Sequence, residues 1–152
     1  MTFRILGLPE ADFQDLFALA DDELAARGAV RQIVKDRAPC RVSLTDAGPG
    51  DEVFLVNYEH HAVASPYRMR FAVYVREGER RFDEIDVVPA QLRSRMLALR
   101  AFDGRAMMVG YELVDGRSVE EAIHRRFADS DAAYIHAHFA APGCYACRIE
   151  RA

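Results

Sequence analysis

The residue types best suited to chemistry near neutral pH gather close to the end of the chain. They lie in Tyr134-Ile135-His136-Ala137-His138-Phe139, then Pro142-Gly143, then Cys144-Tyr145-Ala146-Cys147. Side chains alternate between the two faces of a strand, so His136 and His138 point the same way if this segment is extended. Paired imidazoles act as acid and base, or as two ligands of a divalent metal. Two ligands alone do not hold a metal, so further donors must come from elsewhere. The hairpin argues against a closed zinc set of both histidines and both cysteines. With Pro142-Gly143 at the turn, Ile135, Ala137 and Phe139 join Tyr145, Cys147 and Ile149 on the apolar face. Tyr134, His136, His138, Ala146, Arg148 and Glu150 lie opposite, as either a solvated face or a pocket wall. Cys147 is then a core thiol. Only Arg148 to Ala152 follow it, too few for the helix that supports a thioredoxin-like thiol pair.

Partners for the two histidines are expected in Tyr58-Glu59-His60-His61-Ala62-Val63-Ala64-Ser65-Pro66-Tyr67-Arg68, a segment after a strand that is apolar on both faces. Loops on rigid frames often carry function. His60 and His61 point in different directions, so at most one should face a shared pocket. Ser65-Pro66-Tyr67 reads as a rigid turn, and no Gly-x-Ser-x-Gly elbow surrounds Ser65. Cys40 beside Arg41 could supply a stabilised thiolate next to a histidine base, although Cys40 falls on the apolar parity of its segment. The candidate catalytic residues are therefore His136, His138, His60 and Cys40. Arg41, Ser65, Tyr67, Tyr134 and Cys144 are candidates for substrate binding, Arg41 orienting an anionic group. His136 and His138 are the candidate metal ligands; no cofactor is specified, and a divalent metal is the one these donors could bind.

The elements that must position these residues follow from periodicity. Phe3 to Leu8 reads as a strand, and Phe13, Leu16, Phe17, Ala20 and Leu24 recur at helical spacing. They give one helix, or two short ones broken near Asp21-Asp22, ended by Gly28. Ala29 to Val34, Cys40 to Leu44, Val53 to Val56 and Phe71 to Arg76 read as strands, the third placed centrally. Pro89 opens a helix with Leu92, Met96 and Leu99 inward. Met107, Val109, Tyr111 and Leu113 share one face of a further strand. Ser118-Val119-Glu120-Glu121 reads as a capping box before a helix that buries Val119, Ala122, Ile123 and Phe127. The expected fold is α+β: one domain over residues 1–152, a mostly antiparallel sheet with three or four helices packed on it, and a closing C-terminal β-hairpin.

Composition removes several function classes. A net charge of −4 and a pI of about 5.7 oppose affinity for phosphate backbones, so nucleic acid is not an expected partner. No apolar run approaches a membrane span, and the N-terminus lacks a basic start and a long apolar stretch. Three cysteines suit a reducing compartment. The expected location is therefore cytoplasmic, without a membrane partner. Lys35 is the only lysine among 20 basic residues, a bias that reads as GC-rich coding and gives no single arginine functional weight.

The combination of Pro39-Cys40-Arg41-Val42-Ser43-Leu44, Asp46-Ala47-x-Pro49-Gly50, Ser65-Pro66-Tyr67, Tyr134-Ile135-His136-x-His138 and Pro142-Gly143-Cys144-x-Ala146 resembles the bacterial family labelled domain of unknown function 1203. The resemblance covers nearly the whole chain and implies a bacterial cytoplasmic protein; it carries no activity with it. Two function classes follow from the residues themselves. One is a small-molecule enzyme, metal-assisted or not, with a pocket lined by histidine and cysteine. The other is a non-catalytic module that binds a ligand or a partner, forming a homodimer through the terminal hairpin as a sheet edge.

Overall fold

A computed structural model describes residues 1–152. In chain order the strands are β1 (Phe3–Leu6), β2 (Ala29–Ile33), β3 (Ala38–Pro39), β4 (Asp46–Ala47), β5 (Glu52–His61), β6 (Met69–Val75), β7 (Asp83–Ile85), β8 (Met96–Phe102), β9 (Met108–Asp115), β10 (Tyr134–Phe139) and β11 (Tyr145–Arg151). The helices are α1 (Asp21–Ala26), α2 (Ala90–Arg93) and α3 (Val119–Phe127), with single 3-10 turns at Glu10–Phe13 and Gly116–Ser118. The architecture is α+β and its sheets are antiparallel: six strands in the order β7-β1-β11-β10-β8-β9, three as β2-β5-β6, and the small pair β3-β4. No helix is long and apolar enough to cross a membrane.

One face of the large sheet is the main core. Leu97, Leu99 and Ala101 of β8 alternate inward with Ile135, Ala137 and Phe139 of β10, Ile5 of β1 and Ile149 of β11. The stripe Val119, Ala122, Ile123 and Phe127 of α3 seals this face, as the helical spacing predicts. The other face carries Arg100, Tyr134, His136 and His138, and the end of β5 packs over it. A second core forms where Leu8, Phe13, Leu16 and Leu24 meet Phe54, Val56, Val73 and Val75 of the small sheet.

Several expected elements differ. The helix expected from Pro89 is the four-residue α2, after which Met96 to Phe102 form β8. The alternation of Leu97, Leu99 and Ala101, paired on both sides by β9 and β10, overrides the helical spacing. Cys40 to Leu44 is a turn, not a strand, yet Cys40, Val42 and Leu44 are buried as their parity required. Ser118 makes no side-chain cap; the Asp115 carboxylate accepts from Arg117 N one turn earlier. The N-terminal helical segment resolves into a 3-10 turn and the short α1, the two-piece alternative. Most consequentially, the terminal hairpin lies in the middle of the large sheet, flanked by β1 and β8; the outer strands are β7 and β9. The hairpin therefore has no free edge for pairing with a second copy.

Candidate functional site

Two regions collect the expected residues. The first lies between the sheets, where β10 and the end of β5 bring four imidazoles together. His136 lies 4.6 Å from His61, 6.2 Å from His60 and 6.4 Å from His138, between ring centroids. His60 and His61 both reach the cluster although they adjoin in sequence. A β-bulge between Tyr58 and His61 breaks the alternation that would have sent one away. A second bulge, between Ala137 and His138, puts Tyr145 rather than Ala146 opposite His138. Tyr145 thus joins the histidine side, its ring stacked on His60 at 4.6 Å, while Ala146 enters the main core. Cys147 is fully buried in that core, and burial pushes its thiol up to about 12.

The cluster is neither solvated nor an open wall. His61, His136 and His138 are 3%, 2% and 1% exposed. His61 Nδ1–H donates to Tyr67 O at 2.8 Å, which leaves Nε2 to accept from the Tyr134 hydroxyl at 2.7 Å. His138 Nδ1–H donates to Gly143 O at 3.0 Å. The His136 ring makes no hydrogen bond to the protein, and His60 Nδ1 is buried without a partner. The Tyr58 backbone lies near enough to favour a charged His60 slightly, but no bond of normal geometry forms. Burial holds all four rings neutral. It lowers His60 to about 4, with His61 and Arg100 adding, and His138 to about 3, with Arg100 adding against the pull of the Gly143 carbonyl. His136 falls well below the usual histidine range, and His61 is lowered too. No carboxylate accompanies these rings as an orienting partner. No three histidine, cysteine, aspartate or glutamate side chains are placed to hold one metal ion, so His136 and His138 gain no third ligand.

The remaining candidates of this region have supporting contacts. Ser65 Oγ donates to Ala106 O and accepts from Tyr67 N, which fixes the β5–β6 connection. Tyr67 offers its carbonyl to His61 and packs on Phe102. Tyr134 lies beneath Arg148, whose guanidinium sits 3.8 Å above its ring. Cys40 lies elsewhere, among Val34, Ala38, Ala47 and Val53, where burial pushes its thiol up to about 12. It has no histidine base beside it.

The second region is a cleft of about 620 Å³ on the far side of the hairpin turn, lined by no histidine. Its walls are apolar, with Leu55, Phe71, Tyr74, Met96 and Phe139 prominent, and its charges are Arg37, Arg41 and Arg95. The Arg41 guanidinium is 1% exposed. It donates through Nε to Tyr145 O at 2.7 Å, through Nη1 to Pro39 O, and through Nη2 to Cys144 Sγ at 3.0 Å. It also lies 4.8 Å over the Phe139 ring, which Arg95 approaches at 5.1 Å. Burial lowers the Arg41 pKa and neighbouring Arg95 adds to this, whereas Cys144 and Cys40 oppose it. An arginine stays protonated at any physiological pH regardless. Arg95 is paired with Asp46 at 2.8 Å. Arg41 has no carboxylate partner, and two of its roughly five N–H groups have no protein acceptor.

Cys144 reaches this cleft through the turn geometry. Gly143 takes φ +77°, a left-handed value that suits glycine, and Gly143 N and Phe139 N close the turn on Phe139 O and Cys144 O. The structure thus separates the two binding candidates Arg41 and Cys144 from the histidines. Arg37 and Arg95 are cleft residues that the sequence does not single out. No local signal marks them, since segments distant in sequence build the cleft.

These features define the class: an antiparallel α+β protein with a buried imidazole cluster and a separate arginine-lined cleft. Residues 37–151 match the family described as Protein of unknown function (DUF1203), and the chain belongs to that family. The matched span holds every candidate residue of both regions, while β1, α1 and β2 precede it. Neither a curated protein nor a solved structure matches the chain.

Proposed function

We propose that this protein binds a small amphipathic organic anion in the Arg41 cleft. The observation that carries this reading is a guanidinium buried at 1% exposure without a carboxylate partner, at the wall of a cavity. A buried charge is costly unless paired, and an anionic group on the ligand would pair it. The apolar walls explain the rest of the ligand: Phe71 and Met96 are 44% and 47% exposed, and an apolar body would cover them. The histidines then act as packing between the sheets, not as the binding surface.

Calorimetric titration with short-chain carboxylates and their amides tests this. Carboxylates with an apolar tail should bind and the isosteric amides should not. Arg41→Met should weaken binding by about 2–5 kcal/mol, the usual effect of removing one partner of a buried charged pair. Arg37→Ala at the exposed rim should cost less than about 1 kcal/mol. Equal affinity for acids and amides, or no binding at millimolar concentration, would refute the proposal.

A second reading, self-association, moves from the hairpin to β9. Tyr111 and Leu113 on this outer strand are 78% and 66% exposed. Antiparallel pairing of β9 with its copy is self-complementary and would extend the sheet across a two-fold axis. Sedimentation that shows only monomer at every concentration would eliminate it.

A further inference from the structure

Resting on the anion-binding reading, we propose that Cys144 is a nucleophile of the Arg41 cleft, specific for organic acids that carry an electrophilic carbon close to the carboxylate. Three observations place the parts together. Cys144, 7% exposed, is among the residues that line the cleft, and the other two cysteines are not. The Arg41 Nη2–H points at its sulfur at 3.0 Å, supplying positive charge where the sulfur becomes anionic. Each guanidinium nitrogen donates to one protein acceptor, and a carboxylate entering the cleft would take the remaining N–H groups of Nη1 and Nη2, so the group that positions the substrate adjoins the group that attacks it. Tyr145 O and Pro39 O hold the guanidinium in place from the protein side.

With a 2-oxo acid the step is an addition. The sulfur forms a bond to the carbonyl carbon, the C=O π pair moves to oxygen, and the thiol proton ends on that oxygen. The product is a hemithioketal, nothing leaves, and no oxidant or reductant is needed. With a 2-halo acid the sulfur displaces halide, which departs with the bonding pair while the thiol proton goes to solvent. Cys40 and Cys147 are both 0% exposed and line no part of the cleft, so they do not compete.

The test compares iodoacetate with iodoacetamide on the full chain, with peptide mapping by mass spectrometry. A free thiol in solution reacts faster with the neutral amide. At Cys144 the iodoacetate-to-iodoacetamide rate ratio should be at least about tenfold above that of free cysteine, the factor one charge-assisted hydrogen bond supplies. Arg41→Met should return the ratio to the free-thiol value. Should that variant fail to fold, a saturating short-chain carboxylate on the unaltered chain gives the same information by protecting Cys144 from iodoacetate. A ratio equal to free cysteine, a native protein in which Cys144 does not react, or full labelling in the presence of saturating carboxylate would overturn the proposal. Calorimetry on Cys144→Ala separates the two readings. Carboxylate binding retained with no adduct in the unaltered chain removes only the nucleophile, whereas absent binding removes the cleft's function as well.

Discussion

The histidine cluster and the arginine cleft differ in where their unmet bonding capacity faces. The cluster holds four imidazoles, but they are packed against one another and against Phe102, Tyr134 and Tyr145, edge to face in several pairs and stacked where His60 meets Tyr145. Its hydrogen bonds run to Tyr67 O, Tyr134 Oη and Gly143 O, which are structural partners. The cleft has fewer reactive residue types, yet its central cation lacks a counter-charge and borders a cavity. Residue type draws attention to the cluster, whereas an arginine without a carboxylate partner beside a cavity draws it to the cleft. Histidine-rich packing and an arginine-lined cleft lie on opposite sides of a single β-turn.

Acid provides the largest expected contrast. Each depressed histidine favours the neutral form in the folded protein, whereas the unfolded chain protonates near the ordinary value of about 6.5. Stability from these rings is fully present above about pH 6.5. It is lost as pH falls toward the folded values, about 4 for His60 and about 3 for His138. Across that window each ring lowers unfolding free energy by up to about 1.4 kcal/mol per pH unit. Urea denaturation should therefore show a steep drop between pH 6.5 and pH 4.5, above the range where most carboxylates titrate. A flat profile would mean that the cluster admits water and charges freely. That outcome would make it the more open of the two regions and invert the comparison.

Substitutions inside the cluster sharpen the same point. His61→Phe removes a donor to Tyr67 O and an acceptor for Tyr134 Oη, and should destabilise by about 2 kcal/mol at pH 7. His136→Phe removes no hydrogen bond. It should leave pH 7 stability within about 1 kcal/mol of the original and make the acid slope shallower by one proton. A large loss from His136→Phe at pH 7, measured by the same urea titration, would assign His136 a polar role that packing does not require.

Much of this arrangement was legible before the fold was known. The shared face of Tyr134, His136 and His138, the buried Cys147 and the amphipathic α3 all follow from period alone. The two β-bulges were not legible, because one extra residue in a strand leaves no composition signal. They decide that His60 and His61 both reach His136 and that Tyr145 turns to the histidine side. Around Met96 to Phe102, Leu92, Met96 and Leu99 fit a helix as well as Leu97, Leu99 and Ala101 fit the observed strand. Pairing with β9 and β10, invisible locally, settles it. The cleft was half visible: Arg41 and Cys144 were singled out, but nothing in sequence brings Arg37 and Arg95 to them.

The smallest expected effect concerns the residue that joins the two regions. Tyr145 stacks its ring on His60 and gives its backbone carbonyl to Arg41 Nε. Its hydroxyl makes no hydrogen bond to another residue, and burial raises its pKa, so it stays protonated through the whole acid window. Tyr145→Phe keeps the ring, the stack and the carbonyl. Stability at pH 7, the acid slope and carboxylate affinity should all stay within about 0.5 kcal/mol, as for a substitution that removes no pairing. If the hydroxyl instead took part in ligand chemistry, affinity would fall while stability held. If the ring were the mechanical link that holds Arg41 toward Cys144, Tyr145→Ala would lower cluster stability and cleft affinity together, and Tyr145→Phe would lower neither. Calorimetry and urea titration on the two variants distinguish these cases, and a simultaneous loss only in Tyr145→Ala would show that the two regions are coupled through one backbone carbonyl and one aromatic ring.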